Sequence, residues 1–555
     1  MTSDSFVFVG GRIATLVRGR PWADAVVVQG DRIAYVGDEA GAREHAPVGA
    51  EVVDLGGGVL LPGFVDSHDH LTSLAGVLNA GVNLNGIAEP QELLDAIDAY
   101  AKANPDLAVI RGKGFLPTTF PGMSATREML DAIVPDRPVA ILSFDIHDCW
   151  FNTAAMTAAG IDRNTPDPDP GSQYFVRDAD GTPTGYCLEG ANVVVLGGLG
   201  EFEVDRNRDL QKLTLDPAPS WGITTMFEAG IILGRNVDAE PVYAELVERD
   251  LRGELPIRIS GTFWSREATD DPHELVAHLR DWNARYRSEN LSISTLKIWS
   301  DGTMLSGGSL LLEPYEDDPH SCGHMHIPGP EITGMIEATH LAGFDVHIHV
   351  EGDGSLRTVL DAIEQVQSRH GRGARRHTVC HNTWVHPDDL RRFVDLGVVA
   401  NVTPMWGTDF DGGTMDAYTS RMGEHRVRTR SMPYGDLVRS GAVVTYGADC
   451  PGVRIEEIPP LTQIEAAVTR RRPGHPEDRA YLPDQRVSVH DAVRAYTANG
   501  AYQLHLEDEI GTIEVGKRAD LVALGADLFA VPDHEIHQVP VLQTLFGGRI
   551  THDAR

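Results

Sequence analysis

Eight short apolar stretches recur between residues 61 and 446, and helix-sized segments separate most of them. Strands that alternate with helices pair in parallel, and eight such units close into a (β/α)8 barrel. The active site of such a barrel lies at the carboxyl ends of its strands. We therefore predict an α/β fold with a barrel over residues 61–504. The predicted strands end near Asp66 to His70, Phe227, Phe263, Ile298, His349, His381, Val402 and Tyr446.

The two ends of the chain share a β-type pattern. "FVGGRIAT" near the start resembles "LFGGRITH" near the end, which predicts two hairpins in one small β domain formed by residues 1–60 and 505–555. Chance similarity is the alternative. The interval between the first two barrel strands far exceeds one helix, so residues 78–212 are predicted to form an inserted α+β subdomain.

Charge and cysteine content exclude several classes of function. The chain carries 47 Lys and Arg against 81 Asp and Glu, a net charge of −34. Phosphate backbones and anionic membranes repel such a chain, so we expect neither nucleic acid nor a membrane as partner. The five cysteines are odd in number and far apart, so the sequence indicates no disulfide framework. No apolar run reaches the roughly 18 residues of a membrane span. We expect a cytoplasmic protein without a signal peptide.

Four of the predicted strand ends carry His or Asp. His68 and His70 are two residues apart, so on a strand both side chains project from the same face. The other three ends carry His347 with His349, His381, and Asp449. Polar residues on an exposed turn would explain one His-x-His pair, but they explain four such ends poorly. Imidazole and carboxylate ligands without cysteine favour a catalytic site for zinc or a similar divalent ion.

Five motifs in this order resemble a known family: "LLPGFVDSHDHL", "TLKIWSDGTMLSGG", "VHIHVEGD", "HTVCHN" and "TYGADCP". They are similar to the metal-dependent amidohydrolase superfamily, and specifically to amidohydrolase family 3, its YtcJ-like branch. The resemblance covers nearly the whole chain, including the tail "GTIEVGKRADLVAL". It implies a distorted TIM (β/α)8 barrel, flanked by a small β-sandwich built from both termini.

The resemblance also implies a set of metal ligands. It places His68 and His70 on a first ion, His349 and His381 on a second, and Asp449 in contact with the first. Lys297 matches the position where this branch often has a carboxylated lysine that bridges two ions. A mononuclear site with an unmodified Lys297 is the alternative. The expected cofactor is a divalent metal, zinc in the first place, with one or two ions per chain.

Four further residues are candidates for substrate binding. By resemblance, His147 and Asn152 line the pocket, and Trp406 after the seventh strand is a candidate wall. Capping or packing is the alternative for His147 and Asn152, and packing alone is the alternative for Trp406. Glu351 stands where the branch usually has an apolar residue and would favour an amine-bearing substrate, with a solvated loop residue as the alternative. Cys380 replaces the usual Glu before His381, which puts a partner of that imidazole in doubt.

The implied activity is metal-dependent hydrolysis of a non-peptide C–N bond in a small molecule. A metal-activated hydroxide attacks an amide, formamide or cyclic amide, and Asp449 acts as general acid and base. Carbamates, esters and lactones are alternative substrates, because the same attack serves them. A catalytically inactive scaffold is a second class of function, which the intact ligand set disfavours. A homo-oligomer is compatible with the resemblance, and the sequence does not fix its size.

Overall fold

An eight-stranded parallel barrel forms the centre of the computed structural model. The structure describes residues 5–72, 81–120, 122, 124–171, 173–200, 208, 211–231, 236–265, 268–409 and 414–555. Neighbouring barrel strands pair in parallel and in sequence order. The strands are β1 (Phe64–Asp69), β2 (Ile223–Glu228), β3 (Arg258–Ser265), β4 (Leu291–Trp299), β5 (Asp345–Val350), β6 (Thr378–His381), β7 (Val399–Val402) and β8 (Val444–Tyr446).

Contacts between the last and first strands nearly close the barrel. Ser67 Oγ donates to Tyr446 O at 2.6 Å, and Asp449 N donates to His68 O at 2.9 Å. Gly447 permits this approach, since a Cβ there would lie 2.4 Å from His68 O. The predicted fold class and all eight predicted strand ends are therefore confirmed.

Helices cover the outside of the barrel and bury its apolar strands, as a parallel sheet requires. Most of the described barrel strands are fully buried, and one continuous hydrophobic cluster joins them to the helices. These helices are Asn236–Leu251, Pro272–Arg285, Gly329–Ala342, Asp353–His370, Leu390–Leu396, Thr414–Arg430, Tyr434–Ser440, Pro460–Thr469, Val489–Ala495 and Ala498–Gln503.

Two further sheets are formed by the ends of the chain, and the larger one combines strands from both ends. One sheet has four strands, in the order Arg32–Gly37, Ala25–Gln29, Ser5–Val9 and Glu51–Asp54. The other has six, in the order Arg549–Asp553, Val541–Phe546, Leu521–Leu524, Val59–Pro62, Arg12–Val17 and Arg20–Ala23. Side chains of both sheets, such as Phe8 and Leu521, share one hydrophobic cluster. The two sheets therefore pack as a sandwich, with the helix Glu39–His45 beside the first.

The two similar glycine motifs adopt different structures. Val541–Phe546 and Arg549–Asp553 form the predicted antiparallel hairpin. Ser5–Val9 and Arg12–Val17 lie in different sheets, so the prediction of a hairpin there is wrong. The predicted domain limit at residue 60 falls inside the strand Val59–Pro62, which pairs with Leu521–Leu524. One apolar run spans both this strand and β1, so hydropathy alone could not place the limit.

A six-stranded sheet lies in the chain between β1 and β2. Its order is Phe175–Arg177, Pro183–Leu188, Asp148–Phe151, Val139–Ser143, Ile110–Phe115 and Val82–Asn83. Among the described residues, four helices accompany it: Pro90–Ala103, Arg127–Asp131, Thr153–Ala159 and Ala191–Gly198. Residue 78, the predicted start of the insertion, lies outside the described residues. The insertion limits themselves remain a prediction.

None of the helices in the described ranges combines the length and the apolar character that a bilayer crossing needs.

Candidate metal centre and active site

The carboxyl ends of β1 and β8 bring two imidazoles and one carboxylate together. Asp449 Oδ1 lies 3.4 Å from His68 Nε2 and 3.4 Å from His70 Nε2. One ligand atom from each residue fits within a group no more than 4.8 Å across, and all three residues are buried. Two neutral imidazoles and a carboxylate are a common donor set for a catalytic divalent ion.

A second group of side chains adjoins the first. His381 Nδ1 lies 3.5 Å from Asp449 Oδ2, and the His349 ring lies 4.4 Å from the His381 ring between centroids. Lys297 on β4 is buried, with Nζ 3.4 Å from Cys380 Sγ. All six predicted ligands line one cavity at the carboxyl ends of the strands.

Partners behind two of the imidazoles fix their orientation. His68 Nδ1 lies 2.8 Å from His347 Nε2, and His70 Nδ1 lies 2.7 Å from the carbonyl oxygen of Gly230. These contacts direct the Nε2 atoms of His68 and His70 towards the cavity, as outer partners of metal-binding histidines do. Nε2 of both His68 and His349 is buried without a hydrogen-bond partner. Such orphaned acceptor atoms fit a bound cation.

Burial sets the charge state of these imidazoles. It holds the pKa of His68, His349 and His381 well below the ordinary value of 6.5. The neutral form is the one that binds a metal. Burial also opposes a charge on His70, but the carboxylates of Asp449 and Glu228 outweigh it and raise the pKa of His70 to about 9. These carboxylates favour a positive charge at this point, which a divalent ion supplies in place of the proton.

The backbone near the centre departs from ordinary strand geometry. His381 ends β6 with a φ of 74°, and Asp449 has a φ of 54°. Left-handed conformations of residues other than glycine cost about 1 to 3 kcal/mol and persist where surrounding contacts hold them. Asp66 Oδ2 accepts from Ala448 N at 3.2 Å and Asp69 Oδ1 from Cys450 N at 3.0 Å. These two carboxylates of β1 fix the loop that carries Asp449.

The cavity beside the centre has largely apolar and aromatic walls. Trp406 lines it, with its ring stacked on His381 at 5.4 Å between centroids. Glu351 lines it too and is buried, so the alternative of a solvated loop residue is wrong. Burial raises the pKa of Glu351 to about 8, although the backbone N–H of Met304 donates to it at 3.0 Å. The other walls include Leu142, Phe144, Ile146, Val193, Leu196, Trp264, Trp299 and Tyr418.

The insertion supplies charged side chains to this cavity, and His147 is one of them. His147 Nδ1 lies 2.5 Å from Oε2 of the buried Glu189. Burial opposes a charge on His147, but the Glu189 carboxylate outweighs it and raises the pKa of His147 to about 10. Its ring lies 5.9 Å from the His349 ring between centroids. His147 is therefore an imidazolium that faces the cavity near the centre.

Asn152 does not reach the cavity. Its Oδ1 accepts from Ala155 N at 2.8 Å, which caps the helix Thr153–Ala159, and from Val139 N at 3.0 Å. Its Nδ2 donates to Val134 O at 2.8 Å and to Arg137 O at 2.9 Å. Backbone groups thus bond to both the oxygen and the nitrogen of the side-chain amide. Asn152 caps a helix, as the alternative interpretation has it.

Several residues of the site carry no role predicted from the sequence. His347 belongs to a predicted His-x-His pair but contacts His68. Glu228 ends β2, and its Oε1 lies 3.4 Å from His70 Nδ1. Its position as an acidic residue at a strand end could have predicted Glu228 as a site residue. Glu189 had no such signal, because only the fold brings it to His147.

A family model described as "Amidohydrolase family" matches residues 51–552. The chain belongs to the amidohydrolase family. Membership confirms the resemblance and makes the protein an enzyme of a hydrolase family that is generally metal-dependent.

Full-length relatives agree with this membership. The chain is 27% identical to "Putative amidohydrolase YtcJ" of Bacillus subtilis, over 99% of each chain. It is also 27% identical to "N-substituted formamide deformylase" of Arthrobacter pascens, over 99% of this chain and 98% of that one. The crystal structure of an uncharacterized metal-dependent hydrolase from Pyrococcus horikoshii matches with a TM-score of 0.71 and 25% identity, over 95% of this chain and 99% of that one.

Proposed function

We propose that this amidohydrolase cleaves a non-peptide C–N bond of a small amide, with an N-substituted formamide as the leading substrate class. The observation that carries the proposal is the convergence of His68, His70 and Asp449 beside a cavity with apolar walls. Similarity to a formamide deformylase over the full chain supports the same chemistry.

Six residues would hold the metal. His68, His70 and Asp449 would bind a first ion, and His349 and His381 a second, with zinc favoured by the nitrogen and oxygen donors. Lys297 is proposed to carry a carbamate that bridges the two ions. An unmodified ammonium beside two dications would be repelled, whereas a carbamate offers anionic oxygens.

Asp449 is the proposed proton carrier. A divalent ion bound here supplies Lewis acidity, which lowers the pKa of water from about 15.7 towards 7 and polarises the carbonyl. The Asp449 carboxylate accepts the proton that water loses as its oxygen attacks the carbonyl carbon. It then donates that proton to the nitrogen as the C–N bond breaks, which releases an amine and a carboxylic acid. Hydrogen bonding from His70 helps hold the pKa of Asp449 below its usual value against the effect of burial.

The cavity walls are proposed to select and orient the substrate. An apolar N-substituent would pack against Trp406 and the aromatic residues opposite, which excludes water from the reacting carbonyl. His147 would donate a hydrogen bond to a substrate oxygen, since Glu189 keeps its ring charged and fixes its direction. This division of roles would put the carbonyl at the metal and the N-substituent in the apolar part of the cavity.

The variant Asp449→Asn tests the proton carrier. We expect it to lose about 10²- to 10⁴-fold in kcat, the usual contribution of a general acid and base, while keeping most of the bound metal. The measurement is amine release from N-substituted formamides, N-acyl amines and cyclic amides, with metal content per chain determined on the same samples. A variant that keeps substantial activity would refute the role of Asp449. Hydrolysis of esters or lactones without hydrolysis of any amide would refute the substrate class.

A further inference from the structure

Cys380 lies at the metal centre although the ligand set does not include it. In the pairing of β5 with β6, Cys380 lies opposite His349. Directly paired residues of parallel strands point to the same face, so both side chains face the barrel interior. The next residue, His381, would normally point outwards, but its φ of 74° turns the chain as β6 ends. Both Cys380 and His381 therefore reach the same space.

The sulfur of Cys380 forms a compact group with two imidazoles. One ligand atom from each of His68, Cys380 and His381 fits within a group no more than 4.8 Å across, and all three residues are buried. Two imidazoles and a thiol at this spacing form a donor set of the kind that binds zinc. His68 Nε2 is buried and has no hydrogen-bond partner in the structure.

Polar neighbours distinguish this thiol from a cysteine that only fills the core. Lys297 Nζ donates to Sγ at 3.4 Å, and Sγ donates to Ile348 O at 3.2 Å. A buried cysteine usually packs as a small hydrophobe. The hydrogen bond that Lys297 donates stabilises negative charge on the sulfur, whereas the bond from Sγ to Ile348 O belongs to the neutral thiol and is lost when a metal replaces the proton.

We propose that Cys380 Sγ is a ligand of the divalent ion that His381 binds. This inference rests on the metal centre of the proposed function and is independent of the state of Lys297, since a lysine carbamate retains one N–H that can donate to sulfur. On binding, the thiol proton passes to solvent and the sulfur–metal bond forms without oxidation or reduction.

A sulfur ligand affects which ion the centre selects. Thiolates favour softer ions such as zinc, whereas manganese and magnesium prefer oxygen donors. We therefore expect the wild type to prefer zinc or cobalt to manganese at the Cys380 position. Replacing the sulfur by a carboxylate, as in Cys380→Asp, is expected to shift that preference towards manganese while keeping an anionic ligand beside Lys297.

Cobalt substitution tests the proposal without an activity readout. Metal-free protein is titrated with Co²⁺, and the near-ultraviolet absorption is followed for the sulfur-to-cobalt charge-transfer band, with the visible bands reporting bound cobalt. We expect the band in the wild type and its loss in Cys380→Ser and Cys380→Asp. Cys450→Ser is the matched control, because Cys450 is another buried thiol and follows Asp449 directly. It is expected to keep the band.

X-ray absorption of the zinc-loaded wild type provides a second measurement that needs no variant. A zinc–sulfur distance of about 2.3 Å, besides zinc–nitrogen distances of about 2.0 to 2.1 Å, would support the ligand. Bound cobalt or zinc without a sulfur signal would overturn the role of Cys380 and leave the metal centre standing. Loss of the band in Cys450→Ser alone would also overturn it. Failure of the wild type to bind either ion would refute the centre and the proposed function together.

Discussion

At the residue scale, the ion pair of His147 and Glu189 links the stability of the fold to the cavity. Both side chains are largely buried, and Glu189 Oε1 also lies 3.3 Å from Thr303 N and from Ser306 Oγ. Truncating one partner of a buried ion pair leaves the other charge without compensation and typically costs 3 to 5 kcal/mol. The pair therefore both orients a cavity residue and stabilises the contact between the inserted sheet and the barrel.

We predict that Glu189→Gln destabilises the protein by about 3 kcal/mol near pH 6.5 and by much less near pH 10. The pKa of His147 is raised from 6.5 to about 10 in the fold. The stabilisation is thus fully present below pH 6.5 and disappears as pH rises through about 10. The measurement is the thermal unfolding of wild type and variant across this range. The control is Glu364→Gln, because Glu364 is an exposed partner of Arg392. A stability difference between wild type and Glu189→Gln that does not decrease at high pH would contradict the prediction.

The metal-binding role of a residue was predictable where its side chain lay at the end of a predicted strand. His68, His70, His349, His381 and Asp449 each follow or end an apolar run, and the barrel brings such ends together. Contacts across the fold carry no such local signal. Lys297 was predicted by resemblance alone, and only the pairing of strands reveals that it is buried against Cys380.

At the element scale, one buried side-chain amide connects a helix of the insertion to the neighbouring strand and loop. Asn152 caps the helix Thr153–Ala159 and also ties the chain at Val134, Arg137 and Val139. Its resemblance to a pocket residue reflected its position in a motif, whereas its contacts are internal to the insertion. A residue in such a motif can thus have a purely structural role.

We predict that Asn152→Ala lowers the free energy of unfolding by about 2 kcal/mol, because a cap is lost and buried backbone groups lose their partner. KM is expected to stay unchanged. Hydrogen exchange in the insertion and steady-state kinetics measure the two effects. Thr157→Ala, an exposed position of the same helix, should change stability by no more than about 0.5 kcal/mol. A raised KM with unaltered stability would show that Asn152 contacts substrate.

The element pattern was predictable for the barrel and less so for the ends of the chain. Apolar runs between helix-sized segments fixed the eight strands, because a parallel strand buried on both faces must be apolar throughout. Two identical Gly-Gly-Arg-Ile motifs nevertheless differ in structure. Gly547 and Gly548 join two paired strands, whereas Gly10 and Gly11 carry the chain from one sheet to the other. The local sequence is the same, so the strands with which the flanking segments pair determine whether a hairpin forms.

At the scale of the whole molecule, a buried ion pair joins the barrel to the sheet built from both termini. Arg258 on β3 donates to Asp520 Oδ2 at 2.6 Å, and both side chains are less than a tenth exposed. Asp520 Oδ1 also accepts from Gly547 N at 2.8 Å. One carboxylate thus contacts the barrel and the last hairpin of the chain, which couples the terminal sheet to the scaffold of the active site.

We predict that Asp520→Asn destabilises the protein by about 3 to 5 kcal/mol, because Arg258 then keeps a buried charge without its counter-ion. The double variant Asp520→Asn with Arg258→Met should be more stable than Asp520→Asn alone, since it removes both charges and fills the space with an apolar side chain. Glu51→Gln, from the exposed pair with Arg555, should cost less than about 1 kcal/mol. Thermal unfolding of the three variants measures these differences. If the double variant were the least stable, the ion pair would contribute packing and not charge compensation to the junction.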